Sequence, residues 1–269
     1  MTLAALRGHR SNLVGVPTGL LASAAFNEFP LTLQIRGVHE SHARLFDGLA
    51  RAASHDEAAR FFQDYMDDSF GLQQAGAGPT GARRYRASYL RLLKGWGYDA
   101  SSREGAVVKG WVESRFGLIP TFHKAPLARF ASSAWSRYVE DRLSSRFHNN
   151  AIYAQLDLLY EFCQWSLAHW LRRSRRHLTL YRGVNDFREG GLLDGARPRH
   201  GPALIRLNNV SSFSARRDIA GEFGDTVLEA QVPTVKILFF KDLLPSHALQ
   251  GESEYLVIGG DYRVTVSAD

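Results

Sequence analysis

The sequence of 269 residues contains a single cysteine, Cys163. One thiol cannot form an internal disulfide, which excludes the small secreted scaffolds that depend on such bonds. Cys163 lies in an apolar stretch with helical spacing, and this favours a small core residue over a nucleophile. The cysteine content is therefore consistent with a reducing compartment.

The sequence also lacks a long uninterrupted apolar run. Arg7 and Arg10 precede residues 13–26, a mostly apolar stretch that superficially resembles a signal peptide. Pro17 and several small or polar neighbours interrupt the stretch, and it is too short to span a bilayer. We therefore expect a cytoplasmic protein without stable membrane insertion.

Positively charged residues are only weakly in excess over negatively charged ones. The formal net charge is +6, and the basic residues are too scattered to indicate a nucleic-acid-binding protein. Hydrophobic residues make up 45% of the chain, enough for a substantial core in one large domain or two small ones.

The pattern of apolar residues changes near residue 178. Before it, helical spacing dominates, as in Leu90, Leu92, Leu93 and Trp96, and residues 54–57 form a capping box. Further helices are predicted near residues 107–112, 134–147, 152–171 and 215–223. Short β-branched segments predict strands at residues 178–184, 203–214, 226–232, 234–240, 254–258 and 262–266. The order predicts an α+β fold: a mainly helical region, residues 1–177, packed on a β-rich core, residues 178–269, in one integrated domain.

Two motifs look functional but are better explained otherwise. Residues 76–81 match GxGxxG, yet they follow no strand, and Pro79 lacks an N–H that a phosphate cradle would use. His39 and His42 are three residues apart without the spacing or additional ligands of a zinc site. The sequence therefore indicates no metal.

Two segments of the β-rich region place polar groups at predicted strand ends. Arg182 offers a forked cation suited to phosphate, and Gly183 after it allows close backbone approach to a ligand. Ser212 and Ser214 are two apart, so on a strand they share a face where hydroxyls can hold a carboxylate or a ribose. A polar strand end that caps the following helix is the alternative for the serines.

A third segment places two carboxylates before an apolar strand. Glu252 and Glu254 have the i, i+2 spacing that can aim both at one face of a sheet. Like charges held close together cost energy and raise one pKa. A purely structural strand has little reason to begin this way, although an exposed edge could tolerate it.

Taken in order, Arg182, Ser212-Phe213-Ser214 and Glu252-Ser253-Glu254 resemble the arginine, Ser-x-Ser and Glu-x-Glu signature of the arginine-specific mono-ADP-ribosyltransferases. Phe213 stands where threonine is common. The resemblance implies two packed, mainly antiparallel β-sheets around a cleft for NAD, the substrate. It further implies an enzyme that cleaves NAD and transfers ADP-ribose to a protein arginine.

The same resemblance implies roles for individual residues. Glu254 matches the catalytic glutamate, and Glu252 the glutamate that confers arginine specificity. Arg182 would bind the NAD phosphates, the Gly183 backbone would meet the nicotinamide amide, and Ser212 would position Glu254. With Ser214, these residues form the expected site. Phe223, eleven residues after Ser212, matches an aromatic that packs on nicotinamide, with a helix core residue as the alternative.

The whole chain, including residues 12–27, further resembles the bacterial NAD–dinitrogenase-reductase ADP-ribosyltransferase family. That likeness implies dinitrogenase reductase as protein substrate, reversible inactivation of nitrogenase, and a PII signal protein as regulator. Two alternatives stay open. One is an arginine ADP-ribosyltransferase with another target; the other is a non-catalytic NAD-binding regulator, against which the presence of both glutamates argues.

Overall fold

The computed structural model describes residues 11–72, 88–144, 150–171, 175–185, 191–193, 200–245 and 255–268. The GxGxxG loop, Arg7, Arg10 and the two glutamates of the predicted site lie outside the described residues. The described chain combines α-helices with an antiparallel six-stranded sheet, so the predicted α+β class is confirmed.

Helices dominate the first part of the described chain. They are α1 (Thr18–Leu21), α2 (Ala24–Glu28), α3 (Val38–Ser41), α4 (Ala43–Leu49), α5 (His55–Phe70), α6 (Tyr89–Tyr98), α7 (Arg103–Phe116), α8 (Ser133–Arg142) and α9 (Asn150–Ser166). A short antiparallel ladder joins β1 (Phe122–His123) to β2 (Ala125–Pro126) between α7 and α8. A π-helical turn, Leu167–Leu171, follows α9.

Side-chain caps explain where several of these helices begin. Ser54 precedes α5 and accepts a hydrogen bond from the Glu57 N–H, as the capping box predicts. Ser102 and Ser132 cap α7 and α8 in the same way. The predicted end of α8 was less accurate, because this helix ends at Arg142 and not near residue 147.

The large sheet is built from the second part of the chain. Its strands are β3 (His177–Val184), β4 (Gly191–Leu192), β5 (Gly201–Phe213), β6 (Thr226–Pro233), β7 (Ile237–Phe240) and β8 (Tyr255–Ala268), and α10 (Arg217–Gly221) lies between β5 and β6. The strand order is β3-β6-β8-β5-β4, and β7 pairs with β8 as well. All six strands belong to one hydrogen-bonded sheet, and the pairing of β5 with β8 has a register shift between Leu207 and Val210.

The separation of the strands predicted at residues 254–258 and 262–266 was wrong, because residues 255–258 and 262–266 all belong to β8. Gly259 and Gly260 do not end the strand. A Cβ on Gly259 would lie 1.7 Å from the Asn208 carbonyl oxygen, and Gly260 has a φ of 115°. A side chain would not fit at Gly259, and the positive φ of Gly260 favours glycine, so β8 continues through both positions. The segment predicted at 234–240 also differs, since it begins with a 3-10 turn, Thr234–Lys236.

The helical region and the sheet share one hydrophobic core. Buried residues from α5, α6, α7 and α9 belong to the same cluster as those of β3, β5, β6, β7 and β8. At the contact between α9 and β7, the buried Cys163 thiol donates to the Ile237 carbonyl oxygen at 3.5 Å. The Gln164 amide donates to the same oxygen at 2.8 Å. Cys163 is thus the core residue that its apolar setting predicts.

Across the residues that the structure describes, no helix is long and apolar enough to cross a membrane. The same residues contain no group of three or more His, Cys, Asp or Glu side chains that could hold a metal ion. His39 contacts the Glu161 carboxylate at 2.9 Å, and His42 contacts the Tyr65 hydroxyl at 2.9 Å.

Candidate active site

The ends of β3 and β5 meet and bring two predicted site residues together. Tyr181 and Ser214 exchange two backbone hydrogen bonds, each 2.8 Å long. Next to this bridge, the Arg182 guanidinium Nη1 donates to the Ser212 carbonyl oxygen at 2.9 Å. Two residues of the predicted site, 30 positions apart in the chain, are therefore in direct contact.

The Ser212 side chain faces the helical region. Its Oγ accepts a hydrogen bond of 2.9 Å from the indole Nε1–H of Trp96, a buried residue of α6. This contact is not predictable from the sequence, because an aromatic in an apolar helical stripe has the pattern of an ordinary core residue. Nothing in the local sequence distinguishes Trp96 from the other apolar residues of α6.

Ser214 and Phe213 have different environments from Ser212. The buried Ser214 lies beyond the end of β5, and its Oγ accepts from the Arg216 N–H at 3.0 Å. Ser214 thus stabilises the turn before α10, but it does not cap this helix, whose N-cap residue is Arg216 and which has no side-chain cap hydrogen bond. Phe213 is buried in the core, which explains how a large apolar residue is accommodated between the two serines.

Gly183 has a structural requirement of its own. A Cβ at this position would lie 1.9 Å from the backbone oxygen of Ala220 in α10. A Cβ on Gly224 would likewise lie 2.3 Å from the Val184 carbonyl carbon. The two glycines therefore allow α10 and the turn after it to pack against the strand end that carries Arg182.

Phe223 lies on that same turn, beyond the end of α10 at Gly221. Its side chain is 40% exposed, so it is not the core residue of a helix. An exposed aromatic next to Gly224, which packs against Val184, is available to a ligand at the end of β3.

Substitution of Gly183 by alanine is expected to destabilise the fold, because the new methyl group would force α10 away from β3. Overpacking of this kind costs about 1–3 kcal/mol of unfolding free energy. Urea denaturation of Gly183→Ala would measure the loss. The matched control is Gly191→Ala in β4, where a Cβ would meet nothing within 4 Å. Equal stability of the two variants would contradict the close contact.

The two glutamates, Glu252 and Glu254, lie outside the described residues. The described chain resumes at Tyr255, which pairs with Phe213 of β5 and Phe240 of β7. Leu256, the next residue, pairs with Ser212. The first described residues of β8 are therefore direct neighbours of the strand end that carries Ser212.

A separate cavity of about 280 Å³ lies beside the middle of β5. Its lining is mostly apolar and includes Leu118 and Leu127, with Arg206 and Asp261 among the polar members. Arg206 Nε and Asp261 Oδ1 are 2.7 Å apart, so these charges neutralise each other. Arg182, Ser212 and Phe223 do not line this cavity.

An α+β fold, a contact between Arg182 and Ser212 at adjoining strand ends, and a Glu-x-Glu pair before β8 together define the class. The chain is a mono-ADP-ribosyltransferase of the arginine–serine–glutamate type. Within that class it belongs to the dinitrogenase reductase ADP-ribosyltransferase (DRAT) family, whose family model matches residues 11–266.

The chain is similar to the NAD(+)–dinitrogen-reductase ADP-D-ribosyltransferase of Rhodospirillum rubrum. The two are 55% identical over 265 residues, which cover 97% of this chain and 95% of that protein. No solved structure matches the chain significantly.

Proposed function

We propose that this protein cleaves NAD and transfers ADP-ribose to an arginine of dinitrogenase reductase, and so reversibly inactivates nitrogenase. The observation that carries the proposal is the hydrogen bond between Arg182 and Ser212, two elements of the signature, in a member of the DRAT family. The name of the relative from Rhodospirillum rubrum gives NAD, ADP-ribosyl transfer and dinitrogen reductase, which supports the proposal.

The proposed reaction breaks the bond between nicotinamide and C1′ of the ribose. Positive charge develops on the ribose, as in glycoside hydrolysis. The carboxylate of Glu254 would stabilise this charge and hydrogen-bond to the ribose 2′-hydroxyl, with Ser212 orienting the carboxylate. The position of Tyr255 supports this role, because it pairs with Phe213, next to Ser212, and consecutive Cα atoms are only about 3.8 Å apart.

NAD would be held by groups around the end of β3. The Arg182 guanidinium would bind the phosphates, because its forked donors match phosphate oxygens. The backbone at Gly183 would meet the nicotinamide amide, and the exposed ring of Phe223 would pack on the nicotinamide. The approach of α10 to Gly183 supports this assignment, since it places the Phe223 turn beside the same strand end.

Glu252 would act on the acceptor. A guanidinium has a pKa above about 12 and is a poor nucleophile until a proton is withdrawn. Glu252 would orient the target guanidinium and accept that proton during attack on C1′. Specificity for arginine would then reside in one carboxylate, and NAD cleavage in the other.

Cellular partners and setting are part of the proposal. A PII signal protein would be the regulator, as in the resemblance that the sequence indicates, and the cytoplasm would hold both enzyme and substrate. The excess of basic residues, a net charge of +6, supports association with an acidic protein surface.

Incubation of the purified protein with NAD labelled in its adenylate group tests the proposal. Label transferred to dinitrogenase reductase, and not to a bacterial extract that lacks it, is the expected result. Label on other proteins alone would favour a different target. Binding of NAD without nicotinamide release would favour a non-catalytic regulator.

The Glu252→Gln variant is expected to lose transfer to arginine while it retains hydrolysis of NAD. Glutamine keeps the shape of glutamate but cannot accept the guanidinium proton. Nicotinamide release and label transfer would be measured in parallel on one preparation. Loss of both activities together would contradict the separation of roles between the two glutamates.

A further inference from the structure

The helical region contributes a side chain to the candidate active site. Trp96 of α6 donates its indole Nε1–H to Ser212 Oγ at 2.9 Å, across 116 residues of sequence. We infer that Trp96 is a positioning residue for the reaction, and that through it the helical region completes the site. The inference rests on the proposed function, in which the Ser212 hydroxyl orients Glu254.

The chemistry of the two groups gives this contact a direction. An indole N–H can only donate, so Ser212 Oγ must be the acceptor. The proton of the Ser212 hydroxyl is not used in this bond, and it stays a donor for a carboxylate or a ribose hydroxyl. Because Arg182 holds the carbonyl oxygen of the same residue, both the main chain and the side chain of Ser212 are fixed.

The indole is itself held firmly in place. Trp96 is buried, and the Lys109 ammonium lies 5.8 Å from the centroid of its ring. Lys109 is only 1% exposed, and its Nζ donates to the Phe122 carbonyl oxygen at 3.0 Å. A cation above an aromatic face restrains the ring by electrostatic attraction.

The helix that carries Lys109 is also joined to the strand that carries Ser212. The Asn209 amide of β5 donates to the Lys109 carbonyl oxygen at 2.8 Å and to the Leu118 carbonyl oxygen at 3.0 Å. At Gly95, beside the indole, a Cβ would lie 2.4 Å from Glu104 Cγ. Close packing of α6 on α7, and of α7 on β5, therefore sets the distance between Trp96 and Ser212.

A second buried indole provides a matched control. Trp111 of α7 donates its Nε1–H to Asp157 Oδ1 at 2.7 Å, and Asp157 is not a residue of the candidate active site. Trp111→Phe and Trp96→Phe each remove one buried indole hydrogen bond and keep an aromatic ring. The two variants should therefore both lose stability, but only Trp96→Phe should lose catalysis.

The experiment measures kcat and KM for NAD, with nicotinamide release as readout, together with thermal midpoints. For Trp96→Phe we expect kcat to fall about tenfold, the equivalent of one neutral hydrogen bond, with KM within about threefold of wild type. For Trp111→Phe we expect a lower thermal midpoint and a kcat within about twofold of wild type. Ser212→Ala combined with Trp96→Phe should be no slower than Ser212→Ala alone, because the indole acts through the hydroxyl.

If the wild-type protein releases nicotinamide, three outcomes would overturn the inference about Trp96 without contradicting the proposed function. They are an unchanged kcat in Trp96→Phe, an equal loss of kcat in Trp111→Phe, and additive losses in the double variant. A folded wild-type protein that releases no nicotinamide would instead refute the proposed function, and the role of Trp96 with it.

Discussion

Replacement of Glu254 by glutamine is expected to lower both ADP-ribosyl transfer and NAD hydrolysis by about 10²–10³-fold. The cause is electrostatic, because glutamine has nearly the same shape but no negative charge to stabilise the developing cation on the ribose. Removal of one such pre-organised group costs roughly 3–4 kcal/mol in the transition state. The affinity for NAD should change little, since Arg182, Gly183 and Phe223 would still provide its contacts.

Nicotinamide release, label transfer and NAD affinity by calorimetry would be measured on the same preparation. Glu140→Gln is the control, because Glu140 is an exposed glutamate of α8, outside the sheet that carries Arg182 and Ser212. It should retain wild-type rates. Near-normal turnover in Glu254→Gln would refute the catalytic role, and loss of NAD binding would show that the carboxylate acts in the ground state instead.

The grouping of Arg182 and Ser212 in one expected site follows from a motif, whereas the hydrogen bond between them was not predicted. The order and spacing of the signature residues resemble a known class, and that class brings them together whatever the intervening sequence. The strands that carry both residues were also predicted, since short β-branched segments lie between turn residues. The structure shows the hydrogen bond between Arg182 and Ser212, and beside it the bridge between Tyr181 and Ser214.

The contact between Trp96 and Ser212 could not be predicted, because no local pattern encodes it. Helical periodicity indicates that a residue faces the core, but not which strand end it will meet across 116 residues. The continuous strand β8 was missed for a related reason. Glycines usually indicate a turn, and only the packed structure shows that Gly259 and Gly260 instead admit the backbone of neighbouring segments.

The polar residues of α9 illustrate the same limit. The apolar stripe of this helix was recognised, but Gln155, Asp157 and Glu161 are buried as well. Gln155 and Glu161 accept backbone N–H groups of Tyr89 and Ile35, at 2.9 and 2.6 Å. Their burial depends on donors from distant segments, which the periodicity of one helix cannot reveal.

Substitution of the buried Lys236 by methionine is expected to make the protein less sensitive to pH. Lys236 is fully buried, its Nζ donates to the Gly259 carbonyl oxygen at 3.1 Å, and the rings of Phe26 and Tyr262 lie 5.3 and 5.0 Å away. Burial lowers the pKa of Lys236 from 10.5 to about 7, although the negative charge of Asp261 opposes the shift.

The direction of the pH effect follows from the two protonation states. Between pH 7 and 10.5 the unfolded chain binds a proton at Lys236 that the folded protein releases, so stability rises with pH in this window. Below pH 7 both states are protonated, and the destabilisation reaches its full size, on the order of 5 kcal/mol from a shift of this size. Methionine fills the same space and carries no charge.

The unfolding free energy of Lys236→Met minus that of wild type should therefore fall by roughly 2 kcal/mol between pH 7 and 9. The lost hydrogen bond to Gly259 adds a constant offset, so the slope and not the sign at one pH is the test. The measurement stops at pH 9, because burial raises the pKa of Tyr262 and ionisation of unfolded tyrosine would then destabilise both proteins. Lys94→Met, at an exposed position of α6, should give a flat difference, since its ammonium stays hydrated in the folded state. A flat difference for Lys236→Met as well would mean that the buried ammonium keeps its proton, stabilised by the carbonyl and the two rings.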